Sequence, residues 1–110
     1  MYQNPTDTEN AIKLPIAQDA WMLFRFDNHE LIRIHLGPGT SMENHINEWR
    51  IVFYLLQGEG KLNVEGKVHQ LATNQSIAVE AGLKRFWHNT GKKELQLLAI
   101  KTKEEHEQNP

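Results

Sequence analysis

The chain carries six histidines and no cysteine, so its reactive groups are imidazoles, carboxylates, amines and guanidiniums. The lack of thiols excludes disulfides, thiolate nucleophiles and sulfur-ligated zinc or iron–sulfur centres. An imidazole can serve as a metal ligand or as a general acid and base. His29 and His106 sit in polar segments and read as solvated, while His35 and His69 read as ordinary half-exposed strand residues. His45 lies in "HINEWRIVFYLLQGEG" and His88 in "KRFWHN", the stretch that also holds Arg85 and Trp87. In an extended strand Arg85 and Trp87 share one face, and Phe86 and His88 take the other. A guanidinium stays protonated, only donates hydrogen bonds, and presents a planar fork matched to carboxylate or phosphate.

The elements that must position these groups are strands. Apolar or alternating runs broken by Gly, Pro, Asn and Asp recur along the chain, with no competing helical period. They predict strands over 21–26, 31–36, 51–56, 60–64, 67–71, 76–79, 85–88 and 95–101. The tightest break, Glu65-Gly66, predicts a hairpin. Many short strands imply a sandwich or closed barrel, because such a sheet must bury one face and dispose of its edges. A length of 110 residues fits one domain. Residues 1 to about 12 are polar and "KEEHEQNP" is charged, so both ends are expected to be peripheral or frayed.

Alternation places Ile51, Phe53 and Leu55 on one face of their strand and Val52, Tyr54 and Leu56 on the other. Both sets are apolar, so both faces need cover from a second layer, a crossing segment or a partner subunit. A homodimer is the expected assembly. In the strand over 31–36, the core rule sends Ile32, Ile34 and Leu36 inward. The reverse phase, which would bring Arg33 and His35 into the interior, stays open at this level.

Lys and Arg total 12 against 14 Asp and Glu, without a basic run, so a nucleic-acid partner is not expected. No apolar run approaches the ~20 residues of a membrane span. The N-terminal stretch lacks a basic segment followed by an apolar one, which makes the cytoplasm the expected compartment.

"GTSMENHINEWRIVFYLLQG" and "NQSIAVEAGLKRFWHN" together resemble the two motifs of the cupin family. The first family motif is Gly, five residues, His-x-His, three or four residues, Glu, six residues, Gly. Here Gly39, His45 and Gly58 keep the intervals, while Asn47 stands at the second His and Ile51 at the Glu. The second is Gly, five residues, Pro-x-Gly, two residues, His, three residues, Asn, matched by Asn74, Glu80, Gly82, Arg85 and Asn89. The resemblance covers roughly residues 31–101 and implies an all-β jelly-roll barrel, the double-stranded β-helix.

Cupins usually hold one metal inside, and the resemblance puts His45, Asn47, Ile51 and Arg85 at its four ligand positions. A divalent first-row metal needs three or four converging imidazole and carboxylate donors. Ile51 has no donor atom and Arg85 would repel a cation. No cofactor is therefore expected, with a divalent metal as the lesser alternative through His45 and some unforeseen set drawn from His35, Glu48, His69 or His88. The same carry-over suggests a small-molecule site made by His45, Asn47 and Arg85, walled by Ile51, Phe53, Leu55 and Trp87, for a polar or anionic ligand. Against this stand two plainer readings, Arg85 neutralised by a carboxylate such as Glu48 or extended to solvent at the barrel mouth. Two other roles stay open. One is an isomerase or epimerase using His45 as acid–base, or a metal-dependent dioxygenase; the other is a structural module whose barrel is filled by side chains. Gly39, Gly58, Gly82 and Asn89 read as turn residues.

Overall fold

The computed structural model describes residues 5–16 and 18–103. Among the described residues ten strands form: β1 (Ile12–Lys13), β2 (Asp19–Phe26), β3 (His29–Leu36), β4 (His45–Ile46), β5 (Arg50–Gln57), β6 (Glu59–Val64), β7 (Lys67–Ala72), β8 (Ser76–Val79), β9 (Lys84–His88) and β10 (Leu95–Thr102). All pairings are antiparallel. One sheet runs β1-β2-β3-β10-β5-β8 and the other β4-β9-β6-β7, the two layers of a jelly-roll barrel. No helix among the described residues is long and apolar enough to cross a membrane.

The eight predicted strands are all present, most of them longer by a residue or two. Strands β1 and β4 are additional; each has two residues, too few to show a period. The Asp7 carboxylate accepts from the backbone N–H of Glu9 at 3.0 Å and of Asn10 at 3.3 Å, closing a turn that leads into β1. Strand β1 then pairs with β2 through Ile12–Met22 and Lys13–Trp21. Residues 1–4 and 104–110, with His106, lie outside the described residues.

The core is the alternate set of each strand, as the pleat requires. Ile32, Ile34 and Leu36 are buried from β3, Ile51, Phe53 and Leu55 from β5, and Leu95, Leu97 and Ala99 from β10. This settles the phase of β3. Arg33 and His35 point to the other face, where Arg33 Nε donates to His35 Nε2 at 2.9 Å and Arg33 Nη2 to Gln96 Oε1 at 2.8 Å. The outer set of β5, Val52, Tyr54 and Leu56, is half-buried.

Turn chemistry follows the sequence. Glu65 and Gly66 have φ of 50° and 85°, the two positive values a two-residue hairpin wants, and Asn63 Oδ1 accepts from Gly66 N at 2.9 Å. Asn74, in the place of a family glycine, takes φ 69°, the left-handed conformation that Asn tolerates. Asn89 is wholly buried yet fully engaged. Its Nδ2 donates to the carbonyls of Leu36 and Lys93, and its Oδ1 accepts from Gly91 N, fastening the loop after β9 to the end of β3.

Candidate functional site

The barrel encloses a cavity of about 400 Å³, within the size range of small-molecule sites. Its wall is mostly aliphatic and aromatic, including Ile32, Ile34, Ile51, Phe53 and Trp87. Leu14, Pro15, Ile16 and Gln18, from the segment between β1 and β2, close one side. That segment is held by Leu14 N donating to Ala20 O at 2.8 Å and by a 3.0 Å ion pair between Lys13 and Asp19. The polar contribution comes from Gln18, Glu43, His45, Arg85 and Lys101.

Arg85 is the central feature. Strand β9 lies between β4 and β6, and its inward residues are Arg85 and Trp87, both buried at 6% and 1% exposure. The Arg85 Nε is buried without a hydrogen-bond partner, and so is the Trp87 Nε1. Among the described residues no carboxylate forms an ion pair with Arg85, Glu48 included. Its electrostatic support is the face of Phe53, whose ring centre lies 5.3 Å from the guanidinium carbon. Phe53 is in turn fixed edge-to-face against Trp87 at 5.4 Å. Burial pulls the Arg85 pKa down to about 10, the mark of a charge deprived of water.

His45 is the cross-strand partner of Arg85, set on the short exposed strand β4 at the cavity mouth. Its pKa is lowered, first by desolvation and then by the charges of Arg85 and Lys101. The imidazole is thus kept neutral beside two cations, able to donate from one nitrogen and accept at the other.

Asn47 does not join this group. Its Oδ1 accepts from Trp49 N at 2.9 Å and its carbonyl from Gly82 N at 2.8 Å. It lines the adjoining surface depression with Glu48 and Trp49, which His45 and Lys101 border from the cavity side. The reason is local: β4 ends at Ile46, and an Asn at the start of the next turn satisfies an N–H two residues on. Leu55 also lies away from the cavity, packed wholly in the core. His88, as alternation predicts, faces away from Arg85 and shares a hydrogen bond with Ser41.

Lys101 was missed from the sequence. It follows Leu95, Leu97 and Ala99 in the inward phase of β10, and that alternation was the available signal. Its amine is half-buried, and its pKa is lowered by desolvation first, with Glu30 opposing and Arg85 and Arg25 adding to the effect.

These donors do not fit a metal. Among the described residues no three His, Asp or Glu side chains gather closely enough to hold an ion. The cavity instead brings two cations, Arg85 and Lys101, together with one carboxylate, Glu43, and the imidazole of His45, a lining of net positive charge.

Set against known proteins, the chain matches the cupin-domain family model over residues 32–101. Comparison with curated proteins finds no match. Among solved structures, a predicted oxalate decarboxylase from Thermotoga maritima is similar at 20% identity. It has a TM-score of 0.79, covering 90% of this chain and 98% of that one. An RmlC-like cupin from Shewanella frigidimarina has 17% identity and a TM-score of 0.79, covering 96% and 95%. The polyketide cyclase RemF from Streptomyces resistomycificus has 15% identity and a TM-score of 0.78, covering 94% and 81%. At these identities the likeness is one of fold.

Proposed function

The chain belongs to the cupin family, and from the unpaired cation inside its barrel we propose that it is a metal-independent cupin binding a small anionic molecule. The single observation that carries this reading is the buried Arg85 guanidinium, which no carboxylate among the described residues meets in an ion pair. Buried charges are normally paired, so a guanidinium walled by Phe53 and Trp87 calls for an anion from outside. Trp87, also in the cavity lining, carries a second orphaned donor in its Nε1. The aliphatic wall and the cover of Leu14 and Ile16 favour a carboxylate with an apolar body over inorganic phosphate. The neutral His45 supplies a donor and an acceptor at the mouth.

One structural neighbour is named a polyketide cyclase and another a predicted oxalate decarboxylase, and the anion site is compatible with catalysis without requiring it. A homodimer formed through the half-buried outer set Val52, Tyr54 and Leu56 belongs to the same proposal. Calorimetric titration with a graded series of aliphatic carboxylates and with phosphate tests the function, comparing the wild type with Arg85→Met. Binding should strengthen with chain length and fall about 10- to 100-fold in the variant, the worth of a charge-assisted hydrogen bond. Equal affinity in both proteins would remove the reading. Metal analysis and native mass spectrometry of the untreated protein check the other two parts: one metal per chain, or a monomer at micromolar concentration, would refute them.

A further inference from the structure

Binding an anion through Arg85 leaves Lys101 without a task. The inward phase of β10 carries it to the cavity, opposite Glu30 on β3 and Ile51 on β5. It borders both the cavity and the outer depression beside it. Glu30 is occupied, accepting from Arg25 Nε at 3.0 Å. Among the described residues no carboxylate forms an ion pair with Lys101. Ile51 is informative here, because it fills the family's glutamate position and is the direct cross-strand partner of Lys101. A glutamate there would hold the amine as an ammonium; isoleucine gives it an apolar neighbour instead.

We propose that Lys101 is a nucleophilic amine that forms an imine with the carbonyl of a small oxo acid whose carboxylate is held by Arg85. The inference rests on the anion-binding reading and adds the substrate class to it. Partial burial and the cationic neighbours Arg85 and Arg25 both favour the neutral amine that attack requires, against the pull of Glu30. In the reaction the ammonium first gives a proton to His45 or to water. The nitrogen lone pair then forms a C–N bond to the carbonyl carbon as the C=O π pair goes to oxygen. That oxygen, protonated twice, leaves as water while C=N forms. The net change is ammonium plus ketone to iminium plus water, with no oxidant or reductant. The neutral His45 at the mouth is placed to relay these protons.

The test uses the full chain with pyruvate, 2-oxobutanoate or acetoacetate in the presence of sodium cyanoborohydride, read by intact mass and peptide mapping. A reduced adduct should appear at Lys101, about tenfold or more above exposed lysines such as Lys61 and Lys67, because bound reactants have a high effective concentration. It should saturate with oxo-acid concentration, vanish in Lys101→Arg and fall at least about tenfold in Arg85→Met. Adducts spread evenly over the lysines, or none at all, would overturn the imine. Titration with 2-hydroxybutanoate, which has the carboxylate and no carbonyl, separates the two readings. Arg85-dependent binding of that acid without an adduct sinks the imine alone, whereas no binding of either acid sinks both.

Discussion

Replacing Arg85 with Met should make the unliganded protein more stable while destroying its anion site. The size of the effect follows from the burial of the guanidinium. Its pKa lies at about 10 in the folded chain, between two and three units below an ordinary guanidinium's. At about 1.4 kcal/mol for each tenfold change in proton affinity, holding the charge inside costs about 3 kcal/mol. The sign is that of a depressed base: the folded protein binds the proton more weakly than the unfolded chain, so the penalty is fully present below about pH 10 and eases only above it. At neutral pH all of it applies. The cation–π contact with Phe53 offsets about 0.5–2 kcal/mol. Methionine is of similar length, removes the orphaned Nε and keeps the contact with the apolar wall. The expected gain is therefore about 1–3 kcal/mol, in line with other replacements of buried charges by apolar groups.

Urea unfolding and thermal denaturation at pH 7 measure this directly, with a rise in midpoint of about 4 °C per kcal/mol for a domain of this size. A second arm supplies the ligand. At about one hundred times its dissociation constant for the wild type, a carboxylate should stabilise the wild type by about 2.7 kcal/mol and Arg85→Met, binding about 10- to 100-fold more weakly, by only about 0.4–1.4 kcal/mol. The ranking of the two proteins should thus close or reverse when ligand is added. A loss of stability in Arg85→Met would refute the reasoning, since it would mean that the guanidinium already has a counter-ion in the free protein.

Three further outcomes follow from the same geometry. His45 should titrate below 6.5 by NMR and move upward in Arg85→Met, where one of two neighbouring cations is gone while desolvation remains. Because its folded pKa is the lower one, it should subtract stability as pH falls through 6.5, and His45→Gln should flatten that part of the pH–stability curve. Ile16→Ala trims the cavity cover at a residue 44% exposed, so it should weaken long-chain carboxylates by about 1 kcal/mol in calorimetry and leave acetate unaffected. Gly58→Ala should lower the urea midpoint by the equivalent of about 1–3 kcal/mol, because φ is +88° and the new Cβ would sit 3.0 Å from the Glu94 carbonyl oxygen.

Much of the fold was legible because strands of four residues or more advertise their period, and here the buried sets are the alternate residues that the pleat predicts. Strands β1 and β4 carry no period and are made by their partners: β1 by β2, and β4 by β9. The site was legible in part. Family spacing located His45, Ile51 and Arg85 at the cavity, since spacing along a barrel strand fixes which Cβ atoms point inward. It failed at Asn47, because that residue lies past the end of β4, where turn hydrogen bonds rather than the pleat orient the side chain.

Lys101 was hidden for the opposite reason. A lysine in an inward phase runs against the rule that sends charges to solvent, although the alternation of Leu95, Leu97 and Ala99 points it there. At a strand end this rule is weakest, because the inward position borders the open mouth and a long amine can keep its stem among apolar walls and its head near water. The same argument covers His45, on the edge strand of the other sheet. The polar groups thus gather at ends and edges, where partial solvation lowers the cost of a charge, while Arg85 alone of the three is buried deeply enough to carry a large penalty. If binding energy is to compensate a pre-existing cost, Arg85 is where an anion gains most. The rim groups Lys101 and His45 are where selectivity and proton transfer can change with little effect on the fold.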